Sequence, residues 1–195
     1  MFISLEGVDG SGKSTQARLL VEALGEGTVA IREPGGTDAA EKIRALLADP
    51  ATELAPLAEL MLFLAARADL TERVIRPALD AGQDVVSDRF SDSSVAYQGA
   101  ARGLGVGEVI GLCDTATDGL WPDLTLYLKV DPELGLGRAK SEDRFEAEGL
   151  DLQRAVAQAY DEIAIIASDR VVPIDATGTV EEVHARILAA VEAYR

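Results

Sequence analysis

An eight-residue stretch close to the N-terminus is the strongest constraint on how this chain can fold. Residues 7–14 read GVDGSGKS, which fits the pattern G-x-x-x-x-G-K-[ST]. A β-type run over residues 2–6 precedes it, and residues 13–24 follow with apolar side chains at helical spacing. In such a strand–loop–helix unit the backbone N–H groups turn inward, and the helix N-terminus favours negative charge. A glycine-rich turn without a ligand is the alternative, but pattern and context independently indicate a phosphate-binding loop (P-loop).

Strand and helix signals alternate along the remainder of the chain. Further strands are expected at 28–31, 84–87, 124–130 and 171–174. Further helices are expected at 37–47 (with Thr37 as N-cap), 56–81, 90–112 with a break near 103–105, 151–167 and 180–191. Repeated strand–helix units predict an α/β fold, a five-stranded parallel sheet with helices on both faces, in one domain over 1–195. All strands then end at the edge where ligands bind.

Composition limits the partners that this chain can have. The 195 residues include 34 Asp and Glu but only 18 Lys and Arg, for a net charge of −16. Such a surface repels polynucleotides and anionic membranes, so neither is expected as a partner. No apolar run approaches the roughly 20 residues of a membrane span, and the N-terminus does not read as a signal peptide. Cys113 is the only cysteine, which fits the cytoplasmic location that we expect.

The P-loop occurs in several classes of protein, and the sequence excludes most of them. A GTPase needs an Asn-Lys-x-Asp motif to bind guanine, whereas this chain contains no asparagine. The chain is short for a motor or helicase, and its charge is wrong for an enzyme that moves along nucleic acid. A kinase that phosphorylates a small acceptor is the class that remains.

Four downstream motifs identify a family. They read REPGGT at 32–37, LFLAAR at 62–67, DRF-x-x-S-x-x-AYQG at 88–99 and EDRFE at 142–146. In this order the set resembles thymidylate kinases, and the resemblance extends from the P-loop to the IDA at 174–176. It implies the P-loop nucleoside monophosphate kinase fold, a homodimer, and Mg²⁺-assisted phosphorylation of dTMP to dTDP by ATP. Another nucleoside monophosphate kinase, or a P-loop scaffold without turnover, is the alternative.

The donor site is expected around the P-loop. Lys13 is placed to reach the β and γ phosphates, and the Ser14 hydroxyl to bind Mg²⁺. We expect Lys13 to be solvated when ATP is absent. The candidate metal ligands are Ser14, Asp9 and Asp88. The full set expected to bind ATP is Gly7, Val8, Asp9, Gly10, Ser11, Gly12, Lys13, Ser14 and Thr15, with Asp175 and Ala176 beside the adenine.

The acceptor site is expected mainly on residues 32–99, with Asp9 of the P-loop beside them. Phe63 and Arg67 are four residues apart and share a helix face, so a ring could stack on a base beside a guanidinium that bonds its carbonyl. The resemblance implies this role for thymine; the alternatives are core packing for Phe63 and a solvated helix face for Arg67. Arg89 follows a strand and could clamp the acceptor phosphate, unless Asp88 and Arg89 are an N-cap and an exposed arginine. The full set expected to bind the acceptor is Asp9, Glu33, Pro34, Phe63, Arg67, Arg89, Ser94, Tyr97 and Gln98.

A charged stretch over 138–149 is interpreted as a flap. Phosphoryl transfer needs a further cation on the moving group, and none of the variable P-loop positions 8–11 is basic. The flap contains Arg138, Lys140 and Arg144. The resemblance to bacterial thymidylate kinases, whose lid supplies an arginine, favours Arg144 as the catalytic cation, with Arg138 as the alternative.

Overall fold

The computed structural model describes residues 1–138 and 149–195. Within them the chain forms five strands: β1 Phe2–Glu6, β2 Val29–Arg32, β3 Val85–Asp88, β4 Leu124–Lys129 and β5 Val171–Asp175. Neighbouring strands pair in parallel, and their order across the sheet is β2-β3-β1-β4-β5. The predicted five-stranded parallel sheet is confirmed, with every strand boundary within one residue of its expected place.

The central position of β1 explains its sequence, because both faces of this strand are buried. Ile3 and Leu5 point into the larger hydrophobic cluster on one face of the sheet. Phe2 points to the other face, where its ring meets that of Phe90 edge-on at 4.8 Å. Burial on both faces is the usual condition of a parallel strand covered by helices.

The helices connect successive strands. Their bounds are α1 Lys13–Leu24, α2 Asp38–Ala48, α3 Pro56–Leu70, α4 Arg76–Asp80, α5 Ser91–Ser94, α6 Val106–Thr117, α7 Pro132–Arg138, α8 Gly149–Ile166 and α9 Val180–Tyr194. Thr37 is the N-cap of α2, as predicted, and its hydroxyl accepts a hydrogen bond from the Ala40 N–H at 3.1 Å. None of the helices in the described ranges is long and apolar enough to cross a membrane.

Two of the stretches predicted as helix contain π-helical turns. Thr71–Ile75 joins α3 to α4, and Val95–Ala101 continues α5. The helical stretches predicted over 56–81 and over 90–112 are present, but each contains a π turn that the spacing of the apolar residues did not indicate. The extra residue in a π turn re-aims the side chains around it, and such turns are frequent at functional sites. The second turn carries Tyr97 and Gln98.

The strand register brings the site residues together. Asp88 at the end of β3 pairs with Leu5 of β1 and with Arg32 of β2. The P-loop, Arg89 and Glu33 therefore leave the sheet side by side at its carboxyl edge. Strands β2 and β3 lie on one side of β1, and β4 and β5 lie on the other. The connections therefore reverse their direction across the sheet beside β1, and a crevice is expected at this point of the carboxyl edge.

Candidate active site

A cavity of about 730 Å³ lies at the carboxyl edge of the sheet. The P-loop, the loop after β2, helix α3, the end of β3 and the second π turn all contribute to its wall. The predicted site residues on this wall are Asp9, Gly10, Ser11, Gly12, Lys13, Ser14, Thr15, Glu33, Pro34, Phe63, Arg67, Asp88, Arg89, Ser94, Tyr97, Gln98, Arg138 and Ala176. The fold thus brings all of the expected acceptor residues and most of the expected donor residues to one cavity.

The P-loop is held tightly against strand β4. Gly7 has a φ of 142°, and a Cβ at this position would lie 2.6 Å from the carbonyl oxygen of Leu128. Only glycine accommodates both the backbone angle and the close approach. Gly7 and Val8 do not line the cavity within the described residues; instead their carbonyl oxygens accept hydrogen bonds from the Lys13 ammonium at 3.1 and 2.7 Å.

The Lys13 side chain contradicts one expectation. Only 6% of the residue is exposed, so the expectation that its ammonium is solvated is wrong. The ammonium lies inside the P-loop, where it donates hydrogen bonds to the carbonyls of Gly7 and Val8 and to the Ser11 hydroxyl. Burial, together with the positive charge of Arg89, lowers the pKa of Lys13 to about 8.

Two candidate metal ligands are in contact. The Ser14 hydroxyl, at the start of α1, donates to Asp88 Oδ2 at the end of β3. Mg²⁺ prefers hard oxygen ligands and in nucleotide sites usually takes one or two from the protein, so this pair fits the ion. Across residues 1–138 and 149–195, no cluster of three or more His, Cys, Asp or Glu side chains forms a metal site of its own.

The third candidate ligand, Asp9, is surrounded by donors. Its Oδ1 accepts from the Arg89 guanidinium and from the Tyr97 hydroxyl at 3.3 Å. Its Oδ2 accepts from Gln153 Nε2 at 2.6 Å. Burial alone would raise the pKa of Asp9, but the charges of Arg89 and Lys13 and these hydrogen bonds outweigh it and lower that pKa. The Asp9 carboxylate is therefore stabilised in its charged form by hydrogen bonds from Arg89, Tyr97 and Gln153.

Arg89 stands on a strained turn. Its φ is 73°, a left-handed angle that residues other than glycine rarely adopt. The turn is pinned because the Arg89 N–H donates to the Leu5 carbonyl at 3.0 Å and the next N–H, of Phe90, donates to Glu6 Oε1 at 2.6 Å. Phe90, not Asp88, is the N-cap of α5, and the Arg89 side chain is 21% exposed, so the alternative of an N-cap beside an exposed arginine is wrong.

The Arg89 guanidinium spans the two halves of the cavity wall. It donates to the Gly7 carbonyl at 3.3 Å and to the Ser93 hydroxyl at 3.2 Å, and its carbon lies 5.1 Å from the centre of the Tyr97 ring. Arg89 thus joins the P-loop to the helix that carries Tyr97.

Arg67 is buried, which excludes the solvated helix face as its environment. Only 1% of the residue is exposed. Its Nε donates to Glu33 Oε2 at 2.8 Å, its Nη1 to the Ser94 hydroxyl at 3.0 Å and its Nη2 to the Phe90 carbonyl at 3.2 Å. Burial raises the pKa of Glu33, and the adjacent Arg67 charge opposes that rise. The pair forms a fixed charged wall of the cavity.

Phe63 and Gln98 complete the acceptor end. Phe63 is half-buried, one turn of α3 before Arg67, and is absent from the hydrophobic clusters of the described residues. Its position on the cavity wall favours a binding role over core packing. Gln98 is buried and its Nε2 donates to Glu59 Oε1 at 2.9 Å, so part of its hydrogen-bonding capacity is used inside the protein.

The donor end lies where α7 meets the loop after β5. Arg138 Nη1 is 3.5 Å from the Ala176 carbonyl oxygen, and both residues line the cavity. Asp175 does not line it within the described residues; its carboxylate accepts from the Thr177 N–H and hydroxyl at 2.9 and 2.7 Å. Lys140 and Arg144, and with them most of the predicted flap, lie outside the described residues.

A family model described as thymidylate kinase matches residues 5–187. This chain belongs to the thymidylate kinase family. It is 49% identical to the thymidylate kinase of a Synechococcus species, over 98% of this chain and 94% of that protein. It is 45% identical to the thymidylate kinase of Fervidobacterium nodosum, over 100% of both chains. A crystal structure of thymidylate kinase from Ehrlichia chaffeensis is similar with a TM-score of 0.83 at 33% identity, covering 98% of each chain.

The family and the nucleoside monophosphate kinase fold expected from the sequence are therefore confirmed. Sequence reasoning missed two polar residues around this thymidylate kinase site. Glu6 ends a strand that is buried on both faces. A carboxylate is unfavourable in such a strand unless it has polar partners, so its presence could have indicated a buried polar network. Gln153 interrupts the apolar face that α8 forms with Val156 and Tyr160, and a polar residue on that face was the available signal.

Proposed function

We propose that this thymidylate kinase transfers the terminal phosphoryl group of ATP to dTMP and forms dTDP, with Mg²⁺ bound beside the nucleotide phosphates. One observation carries the proposal. A single cavity has the P-loop at one end and the Phe63–Arg67 pair at the other, and Arg89 contacts the P-loop from within it. Donor and acceptor phosphates bound there would be held close together, which phosphoryl transfer requires.

On the donor side, backbone N–H groups of the P-loop and the N-terminus of α1 would bind the ATP phosphates. Lys13 would turn from the loop carbonyls toward the phosphate oxygens, which are stronger acceptors because they are charged. Ser14 and Asp88 would hold Mg²⁺, which when bound neutralises charge on the phosphates. Asp9 is less suited to direct metal contact, since both of its carboxylate oxygens already accept hydrogen bonds. Ala176 would border the adenine.

On the acceptor side, the Arg89 guanidinium would hold the dTMP phosphate in line with the donor. Phe63 would stack on thymine, and Arg67 would reach a thymine carbonyl from the wall where Glu33 fixes it. Tyr97 would cover the sugar and oppose a 2′-hydroxyl, with Pro34, Ser94 and Gln98 around the nucleotide. The attacking phosphate oxygen is already ionised, so no general base is required. Arg144 is proposed as the cation on the moving group, with Arg138 as the alternative.

The test is a panel of acceptors, dTMP, dUMP, dCMP, dGMP and AMP, with ADP release measured for each. We expect dTMP to have the highest kcat/KM. Higher efficiency with AMP or dGMP would identify another nucleoside monophosphate kinase. ATP binding without ADP release for any acceptor would identify a scaffold without turnover.

We also propose that residues 1–195 form one kinase domain that works as a cytoplasmic homodimer. Leu57 and Met61 on α3 and Ile110 on the adjacent α6 are 52%, 43% and 38% exposed, and a second copy would cover them. The buried free thiol of Cys113 fits the cytoplasm. Light scattering of the wild type and of the Met61→Glu, Ile110→Glu double variant checks the dimer, with Leu188→Glu on α9 as the control.

A further inference from the structure

Gln153 of helix α8 contacts the P-loop at two atoms of one residue. Its Nε2 donates to Asp9 Oδ2 at 2.6 Å, and its Oε1 accepts from the Asp9 backbone N–H at 3.1 Å. Gln153 is 1% exposed. Burying an amide is unfavourable unless its polar atoms find partners, and here both of them are used on Asp9. The two contacts fix the Asp9 peptide and the rotation of its carboxylate together.

Helix α7 reaches the same residue from another side. A Cβ added to Gly135 would lie 2.5 Å from the Asp9 carbonyl oxygen, so the helix can pack at this distance only because residue 135 has no side chain. The N–H, the carbonyl and one carboxylate oxygen of Asp9 are thus all set by α7 and α8. The other carboxylate oxygen holds the Arg89 guanidinium and the Tyr97 hydroxyl.

We propose that Gln153 is a positioning residue for phosphoryl transfer: by fixing the Asp9 carboxylate, it directs Arg89 and Tyr97 toward the acceptor nucleotide. The proposal rests on the function proposed above, in which Arg89 holds the dTMP phosphate. Gln153 need not touch either substrate. It acts through Asp9, and Gly135 allows α7 to support the same peptide.

The first test replaces Gln153 with methionine, which keeps the volume and removes both hydrogen bonds. Because a hydrogen bond to a charged group is lost, we expect kcat/KM for dTMP to fall about tenfold while the KM for ATP changes less than about twofold. Gln158→Met is the matched control, since Gln158 is an exposed residue of the same helix that bonds Glu162. Thermal unfolding is measured for both variants, and a loss of stability without a change in dTMP kinetics would overturn the proposal.

A double-mutant cycle shows whether Gln153 acts through Asp9. Asp9→Ala is compared with the Asp9→Ala, Gln153→Met double variant, and we expect the second substitution to have almost no further effect on kcat/KM for dTMP. Independent, multiplicative losses would overturn the proposal. If the wild type itself fails to phosphorylate dTMP, the proposed function fails. If the wild type is active and Gln153→Met matches it, only the positioning role fails.

A second pair of variants tests α7. Gly135→Ala should lower kcat/KM for dTMP, because the added methyl would press on the Asp9 carbonyl. Gly137→Ala, in the same helix, should leave it within about twofold, because a Cβ there meets nothing within 4 Å. Equal kinetics for the two alanine variants would refute the proposed support from α7.

Discussion

Glu6 gives the sharpest test of the electrostatics beneath the site. Its carboxylate is fully buried at the end of β1. Oε1 accepts from the Phe90 N–H at 2.6 Å, and Oε2 accepts from the hydroxyls of Ser93 and Tyr160 at 2.6 and 2.7 Å. Burial, assisted by the nearby charge of Asp92, raises the pKa of Glu6 from 4.5 to about 7. We predict that replacing Glu6 with glutamine changes how stability depends on pH.

The sign of this pH dependence follows from whether the folded or the unfolded chain holds the proton of Glu6. Below pH 4.5 the carboxyl is protonated in the folded and the unfolded chain, and it has no effect on the pH dependence of the free energy of unfolding. Between 4.5 and about 7 only the folded chain retains the proton, so stability falls as pH rises. The folded and unfolded pKa values of Glu6 differ by about 2.5. A difference of one in pKa corresponds to roughly 1.36 kcal/mol, so the free energy of unfolding should fall by about 3 kcal/mol by pH 8.

Glutamine is suited to this test because the network can accept it. The amide oxygen can still receive the Phe90 N–H, and the amide N–H can donate to the hydroxyl of Ser93 or Tyr160. Those two hydroxyl oxygens are 3.0 Å apart, so they can bond to each other when the carboxylate is replaced. Glu6→Gln should therefore fold and should lack the titration.

Urea unfolding followed by the fluorescence of Trp121, at several values between pH 4.5 and 8, gives the free energies. The wild type should lose about 3 kcal/mol more than Glu6→Gln across this range. Glu53→Gln, which changes an exposed carboxylate, is the control and should follow the wild type. A constant difference between wild type and Glu6→Gln at every pH would refute the reasoning.

Three predictions concern turnover. Phe63→Ala should raise the KM for dTMP by the equivalent of about 1–3 kcal/mol and leave the KM for ATP unchanged, measured by steady-state kinetics; an effect on thermal stability alone would support core packing. Lys13→Ala should abolish ADP release while circular dichroism shows a folded protein, and unchanged kinetics would remove the P-loop from the mechanism. Arg144→Ala and Arg138→Ala together should lower kcat by about 10³ with smaller changes in either KM, and a near-normal kcat would place the catalytic cation elsewhere.

The fold was predictable because its signals are local. The P-loop pattern, the period of each strand and the Thr37 cap all lie within a few residues of the structure that they specify. Side-chain environments were less predictable because they depend on distant partners. Arg67 is buried by Glu33, which lies 34 residues away, and Asp9 is fixed by Gln153, which lies 144 residues away. The burial of Lys13 depends on how closely the loop carbonyls surround its ammonium, which spacing does not encode.

The buried Arg67–Glu33 pair has a consequence for how this site can diverge. Losing either partner alone would leave a charge in the protein interior without its counterion. Such a loss typically lowers the free energy of unfolding by about 3–5 kcal/mol, which is a large fraction of a domain's total stability. Viable lineages should therefore change both residues or neither. An inhibitor that binds to Arg67 and Glu33 should therefore select few resistance mutations by single substitution, because a change of either residue alone would destabilise the enzyme.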